Sequence, residues 1–114
     1  MQNVVEEKSF QFAVRVVKLC KYIRSSRHEK ILTQQLLKSG TSIGANIAEA
    51  QHAQSKADFI AKLSIALKET GETKYWLRLL CATDYCTDVE FNSIFSDCTE
   101  LEKLLVSILK TANS

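Results

Sequence analysis

The fold is decided by residues 32–50, which read LTQQLLKSGTSIGANIAEA. Apolar residues recur in this stretch with the three- and four-residue spacing of one face of an α-helix. Gly40, Gly44 and Ala48 are four residues apart, which places them together on one side of that helix. Each glycine inside a helix costs up to about 1 kcal/mol relative to alanine, and the close approach of a neighbouring backbone would compensate. We therefore predict a central helix that packs against its neighbours on more than one side.

A polar residue interrupts the apolar face of this helix. Asn46 falls between Ile43 and Ile47, on the face predicted to point inward. A buried amide must be hydrogen-bonded, because otherwise it destabilises the fold. We interpret Asn46 as a satisfied core amide that fixes the register of the helix. The alternative interpretation is an amide that contacts a ligand.

The composition of the chain indicates an all-α protein. With 114 residues, the chain is long enough for one domain around one core. It is 46% hydrophobic and 25% charged, as is ordinary for a soluble globular protein. It holds three glycines and no proline, whereas an all-β domain of this length usually has more of both in its many turns.

Helical periodicity continues along the rest of the chain, in a single domain that covers residues 1–114, although residues 1–8 are expected to fray. The predicted helices cover about residues 9–25, 30–52, 55–83 and 87–111. Short polar turns separate them. Amphipathic helices joined in this way form an antiparallel up-down-up-down four-helix bundle.

Several single residues carry local predictions. Phe10 falls on the apolar stripe of the first helix and is expected to be buried, and Gly71 marks a second point of close approach, in the third helix. Ser55 and Thr87 are each followed three residues later by an acidic residue, which is the spacing of a capping box. Glu72 is interpreted as a structural hydrogen-bond acceptor for a neighbouring helix.

The sequence predicts a cytoplasmic protein that does not enter a membrane. No apolar run approaches the roughly 18 residues of a membrane span, and the chain does not open on a secretory leader. The four cysteines fit a reducing compartment, in which they remain free thiols. Cys81 and Cys86 are five residues apart, which matches no zinc-binding spacing.

The charge of the chain is unevenly distributed, although the net charge is only +2. Residues 1–57 hold nine basic and four acidic residues, whereas residues 58–114 hold six basic and nine acidic ones. This asymmetry predicts one basic and one acidic surface, with the acidic surface on the outer side of the fourth helix. The acidic residues of that side are Asp97, Glu100 and Glu102.

The basic surface is predicted on the first helix. Four cations occur there at steps of three residues, with no acidic residue between them: Arg15, Lys18, Lys21 and Arg24. Arg27 and Lys38 extend the set. A solvated basic face is one interpretation; because the strip holds no carboxylate, a surface that binds the phosphates of a nucleic acid is the other.

No catalytic site or cofactor is predicted. A di-iron bundle needs two Glu-x-x-His pairs; Glu49 and His52 form one, but Ser25 stands where His28 would need its glutamate. We therefore expect no metal. The cysteines lie on apolar faces or near turns, and nothing places a base beside a nucleophile. The expected protein is not an enzyme.

Two blocks of sequence resemble a known family. Residues 35–50 form the first block, and DFIxKLxIA at 58–66 followed by ETxYWL at 72–77 forms the second. Together they look like the signature of the four-helix-bundle proteins encoded by intervening sequences in bacterial 23S rRNA genes. That family is similar to the accessory variability protein of diversity-generating retroelements. The resemblance covers residues 10–109 approximately. Gly71 inside the third helix and the modest net charge depart from the family pattern.

The resemblance implies a protein without enzymatic activity. From the retroelement protein it implies a homopentameric ring whose basic surface binds nucleic acid and assists a reverse transcriptase. It also implies that the characteristic polar positions of the family have structural roles. In this chain these positions are Ser42, Asn46, Glu49 and Glu72.

Two functions therefore stay open. The first is an oligomeric, non-enzymatic bundle that binds RNA or DNA through the basic face of the first helix. The alternative is a protein–protein interaction or scaffold module without nucleic-acid binding, which would present its acidic fourth helix or an apolar groove. Extra apolar residues on more than one face of the helices are expected to make subunit contacts. They include Phe12, Val14, Ile60 and Tyr75.

Overall fold

The computed structural model describes residues 3–114, and these residues form four α-helices. The helices are α1 (Val4–Arg27), α2 (Ile31–Ala50), α3 (Lys56–Ala82) and α4 (Asp88–Ala112). The all-α four-helix bundle predicted from the sequence is confirmed. Helix α1 begins earlier than predicted, because the Asn3 side chain caps it by accepting a hydrogen bond from the Glu6 N–H at 3.2 Å. Residues 1 and 2, which were expected to fray, lie outside the described range.

The four helices surround one core, and each helix packs beside the next one along the chain. Helix α2 packs between α1 and α3, and α4 packs between α3 and α1, so that α2 and α4 lie diagonally opposite. The contacts between α1 and α4 are the sparsest of the four neighbouring pairs. Adjacent helices run in opposite directions: Asn3, at the start of α1, bonds Gln51, at the end of α2, whereas Arg24 near the end of α1 bonds Thr33 near the start of α2.

The central helix is buried as predicted. The side chains of Ile43 and Ile47 are 0% exposed and lie in the common core of the four helices. On one side Gly40 and Gly44 face α1. On the other side the Ser39 hydroxyl accepts a hydrogen bond of 3.1 Å from the Thr73 hydroxyl of α3. Helix α2 therefore packs against helices on two sides.

The glycines of α2 allow α1 to approach closely. A Cβ atom at Gly40 would lie 2.9 Å from both methyl groups of Val16, and a Cβ atom at Gly44 would lie 3.2 Å from the backbone oxygen of Ser9. Both distances are shorter than ordinary van der Waals contact. The prediction for Gly71 is wrong: a Cβ atom there would meet nothing within 4 Å, so this glycine serves no helix contact within the chain.

Two inward-facing predictions are also wrong. Phe10 is 64% exposed, because the buried face of α1 is formed by residues such as Phe12 and Val16, and Phe10 points away from it. Asn46 is half-buried rather than part of the core. Its amide donates to the backbone oxygen of Ser42 at 2.9 Å and lies 3.0 Å from the Ser42 hydroxyl oxygen, so it is satisfied within its own helix.

Polar side chains cap the start of each helix. Thr87 forms the predicted capping box with Glu90. The Ser55 hydroxyl accepts from the Asp58 N–H at 3.0 Å, but the Asp58 carboxylate accepts from the N–H of Gln54 instead of closing the box.

The cap of α2 was not predicted. The Glu29 carboxylate accepts from the Leu32 N–H at 2.6 Å and from the Thr33 N–H at 3.0 Å. Burial raises the pKa of Glu29, but hydrogen bonds from backbone N–H groups outweigh burial and bring the pKa below its ordinary value of 4.5. The ionised carboxylate is the form that stabilises the start of α2.

The glycine contacts predict opposite effects for one substitution. Gly40→Ala should lower the free energy of unfolding by about 1–3 kcal/mol, because the new methyl group would overlap the fully buried Val16. Gly71→Ala adds the same methyl group in open space, and should raise that free energy by up to about 1 kcal/mol. Urea denaturation of both variants measures the difference. Equal effects would contradict the close packing of α1 on α2.

The Glu29 cap predicts a pH-dependent loss of stability. At pH 7, Glu29→Ala should cost about 1 kcal/mol of unfolding free energy. Because the folded pKa of Glu29 lies below its unfolded value of 4.5, this stabilisation is present above pH 4.5 and is lost as the pH falls through the folded pKa. Urea denaturation at pH 7 and pH 3 tests this, with Glu29→Gln as the uncharged control. A loss that is equal at both pH values would show that ionisation of Glu29 has no part in it.

Candidate nucleic-acid interface

The cations of α1 do not share one face. Each step of three residues turns an α-helix by about 300°, so four residues at that spacing sweep about half of its circumference. Arg15 faces α4 and Arg24 faces α2, whereas Lys18 and Lys21 lie between them on the side turned to solvent. The predicted strip is therefore a spiral that crosses the outer surface of α1.

Arg15 has an acidic partner, contrary to the sequence-based expectation of a strip without carboxylates. Its guanidinium forms an ion pair with the Asp97 carboxylate of α4, and its second terminal nitrogen donates to the Ser93 hydroxyl at 2.9 Å. The two side chains of the ion pair are 40% and 45% exposed. An ion pair so exposed to water contributes little to stability, and anions in solution can still reach the arginine.

The other two arginines are held by uncharged partners. Arg24 donates to the Thr33 hydroxyl at 2.9 Å and to the Gln34 side-chain oxygen at 3.0 Å. Arg27 donates to the backbone oxygen of Asp84 at 2.7 Å, and its guanidinium lies 5.0 Å from the centre of the Tyr85 ring. These contacts fix the position of each guanidinium without an ion pair to a carboxylate.

The three lysines of the predicted set are exposed. The ammonium groups of Lys18, Lys21 and Lys38 make no hydrogen bond or ion pair with any residue from 3 to 114. Lys38 is two positions before Gly40, the residue that contacts α1. Two positions correspond to about 200° around a helix, so Lys38 lies on the side of α2 turned away from α1 and apart from the other five cations.

The acidic surface predicted on α4 is largely paired. Glu100 forms an ion pair with Lys8 at 3.2 Å, and Glu102 forms one with Lys74 at 3.0 Å. With the pair between Asp97 and Arg15, each of the three acids of this side is matched by a cation from a neighbouring helix. The outer side of α4 is therefore less acidic than the sequence of α4 alone suggests.

The characteristic polar positions have local rather than inter-helix contacts. Ser42 and Asn46 bond to each other within α2. Glu72 accepts from the Trp76 indole N–H at 3.1 Å within α3, so the predicted bond from Glu72 to a neighbouring helix is wrong. The Glu49 carboxylate is exposed and bonds to no residue in the described range.

An open groove of about 720 Å³ lies between α1 and α2. Its floor is formed by small residues, Ala13, Gly44, Ala45 and Ala48, which leave the Phe10 ring uncovered at its side.

Of the four residues expected to make subunit contacts, Phe12 is 2% exposed and belongs to the core, so it cannot make such a contact. Val14 and Ile60 are half-buried and Tyr75 is 54% exposed.

The described part of the chain, residues 3–114, holds potential metal-ligating and thiol side chains. It contains no group of three His, Cys, Asp or Glu side chains able to hold a metal ion. All four cysteines are free. Burial raises the pKa of the Cys20 and Cys86 thiols to about 11 and that of Cys98 to about 12, which disfavours the thiolate that a nucleophile requires.

Among residues 3–114, no helix has the length and apolarity needed to cross a bilayer.

Comparisons with known proteins agree with the fold. The family model described as 23S rRNA-intervening sequence protein matches residues 1–107. A similar solved structure, with 56% sequence identity and a TM-score of 0.93, is the 1.70 Å crystal structure of a protein with unknown function from the S23 ribosomal protein family of Bacteroides thetaiotaomicron VPI-5482. The match covers 94% of this chain and 99% of that one. No curated protein matches the chain. The resemblance found in residues 35–77 is thus confirmed: the chain belongs to the family of 23S rRNA-intervening sequence proteins.

Proposed function

We propose that this protein binds nucleic acid, RNA or DNA, through the outer surface of α1, without enzymatic activity and in the bacterial cytoplasm. The observation that carries the proposal is the pair Lys18 and Lys21, which are exposed and have no ion-pair partner in the described range. An unpaired ammonium group in water is free to neutralise a phosphate and release its counterions.

The three arginines surround these lysines as positioned phosphate contacts. Arg24 and Arg27 are oriented by uncharged groups, so their charges are available to a polyanion. Arg15 would exchange its exposed ion pair with Asp97 for a phosphate. Lys38 would contact a strand only if the strand extended around α2, because it lies on the far side of that helix.

We further propose that the protein is a homo-oligomer, with the pentamer as the favoured assembly. The resemblance to the accessory variability protein of diversity-generating retroelements suggests this state, and also suggests a reverse transcriptase as a protein partner. The exposed Phe10 and Tyr75 rings and the groove between α1 and α2 supply apolar surface for subunit contacts.

The second candidate function is a protein–protein interaction module without nucleic-acid binding. The groove between α1 and α2 favours it, because the groove combines an apolar floor with an exposed aromatic ring. The ion pairing of Asp97, Glu100 and Glu102 weakens the version in which α4 presents an acidic surface.

The nucleic-acid proposal predicts a position-specific effect of charge. Lys18→Glu combined with Lys21→Glu should reduce RNA affinity in low salt by at least tenfold, since it replaces two phosphate contacts by repulsion. The control is Lys68→Glu combined with Lys110→Glu, two exposed lysines on other helices, which changes the net charge by the same amount. Gel shifts with structured and single-stranded RNA at two salt concentrations measure the affinities. Equal losses in both double variants would contradict a binding surface on α1.

The oligomer proposal predicts the mass in solution. Light scattering should give about five times the 12.8 kDa of one chain if the subunits form the pentameric ring. A mass equal to one chain at micromolar concentration would overturn the oligomer while leaving the nucleic-acid proposal intact.

A further inference from the structure

Tyr22 is an aromatic side chain exposed beside the proposed phosphate contacts. It follows Lys21 directly and lies one helical turn after Lys18, a spacing at which the Cβ atoms of two helical residues are about 5–6 Å apart. The Tyr22 side chain is 56% exposed, and its hydroxyl bonds to no residue between 3 and 114. The core does not use this ring, and nothing in the described chain covers it.

The ring of Tyr22 borders two depressions at the junction of α1 and α4. One, of about 270 Å³, is also lined by Lys18, Leu19 and Ile94. The other, of about 370 Å³, is also lined by Arg27 and Tyr85. Both are large enough to admit a flat group beside the ring.

The charges around Tyr22 differ on its two sides. Lys18 and Lys21 are exposed on α1. The depressions hold carboxylates as well as cations: Glu90 with Arg15 and Lys18 in one, and Asp84, Asp88 and Glu90 with Arg27 in the other. A phosphate is attracted most strongly to the exposed lysines, because carboxylates offset the cations in the depressions. A nucleobase is neutral, and its amino groups can donate to carboxylates, so the α4 side suits a base.

We propose that Tyr22 is a stacking platform for a base of single-stranded nucleic acid whose phosphates contact Lys18 and Lys21. This inference rests on the proposed nucleic-acid function and narrows its ligand class. In a duplex the base faces are covered by stacking, whereas an unpaired strand can turn a base onto an exposed aromatic ring. Arg27, held over Tyr85 at 5.0 Å, provides a second planar surface for a neighbouring base.

The test compares three probes with the full-length protein: a single-stranded 12-nucleotide oligomer, a 12-base-pair duplex, and a strand of the same length made of abasic sites. Tyr22→Ala should weaken binding of the single strand by about five- to a hundredfold, the range expected for one lost stacking contact. Binding of the duplex and the abasic strand should change less than twofold. Tyr22→Phe, which keeps the ring, should bind the single strand like the unchanged protein.

Val106→Ala is the control, because it removes an exposed apolar side chain from α4 that neither the proposed phosphate contacts nor the proposed subunit contacts use; it should leave all three affinities unchanged. If Tyr22→Ala binds the single strand as tightly as the unchanged protein does, or weakens all three probes equally, the stacking site is overturned and phosphate binding stands. If the unchanged protein binds none of the probes in low salt, the proposed function itself fails. A change of oligomeric mass in Tyr22→Ala would show that the ring is a subunit contact, which also overturns the stacking site.

Discussion

The close approach of α1 to α2 is the constraint on which the rest of the bundle depends. Gly40 and Gly44 bring the backbone of α2 so near to Val16 and Ser9 that a Cβ atom at either position would lie closer than ordinary van der Waals contact. This contact sets the distance between the two helices, and with it the depth at which Ile43 and Ile47 enter the core. It also leaves the Gly44 side of α2 lined by small residues, which creates the open groove beside Phe10.

Properties that repeat along one helix could be predicted from the sequence. The apolar periodicity of α2 predicted the burial of Ile43 and Ile47, because helical geometry alone decides which residues share a face. The same geometry predicted the capping box at Thr87. Each of these inferences needs only one segment of the chain.

Properties that join two helices were harder to predict. The ion-pair partner of Arg15 is Asp97, which is 82 positions away in the sequence. The sequence of α1 alone does not predict this pairing. Gly71 is a glycine inside a helix, like Gly40 and Gly44, but no neighbouring helix packs against it. Phe10 has the hydrophobicity of a core residue, yet the α2 residues that form the floor of the groove beside it, Gly44, Ala45 and Ala48, are too small to cover its ring. In each case the missing information was the identity of the facing residue.

The junction of α1 and α4 differs in kind from the other three. Its packing is the sparsest, and it is tied by two exposed ion pairs, between Lys8 and Glu100 and between Arg15 and Asp97, across 92 and 82 positions of sequence. Joining segments so distant in the sequence costs more loop-closure entropy than any other helix pair does. The stabilisation gained from two exposed ion pairs is small. The hairpin of α1 with α2 and that of α3 with α4 can form from local contacts, so we expect the junction of α1 with α4 to close last during folding and to open first in the native state.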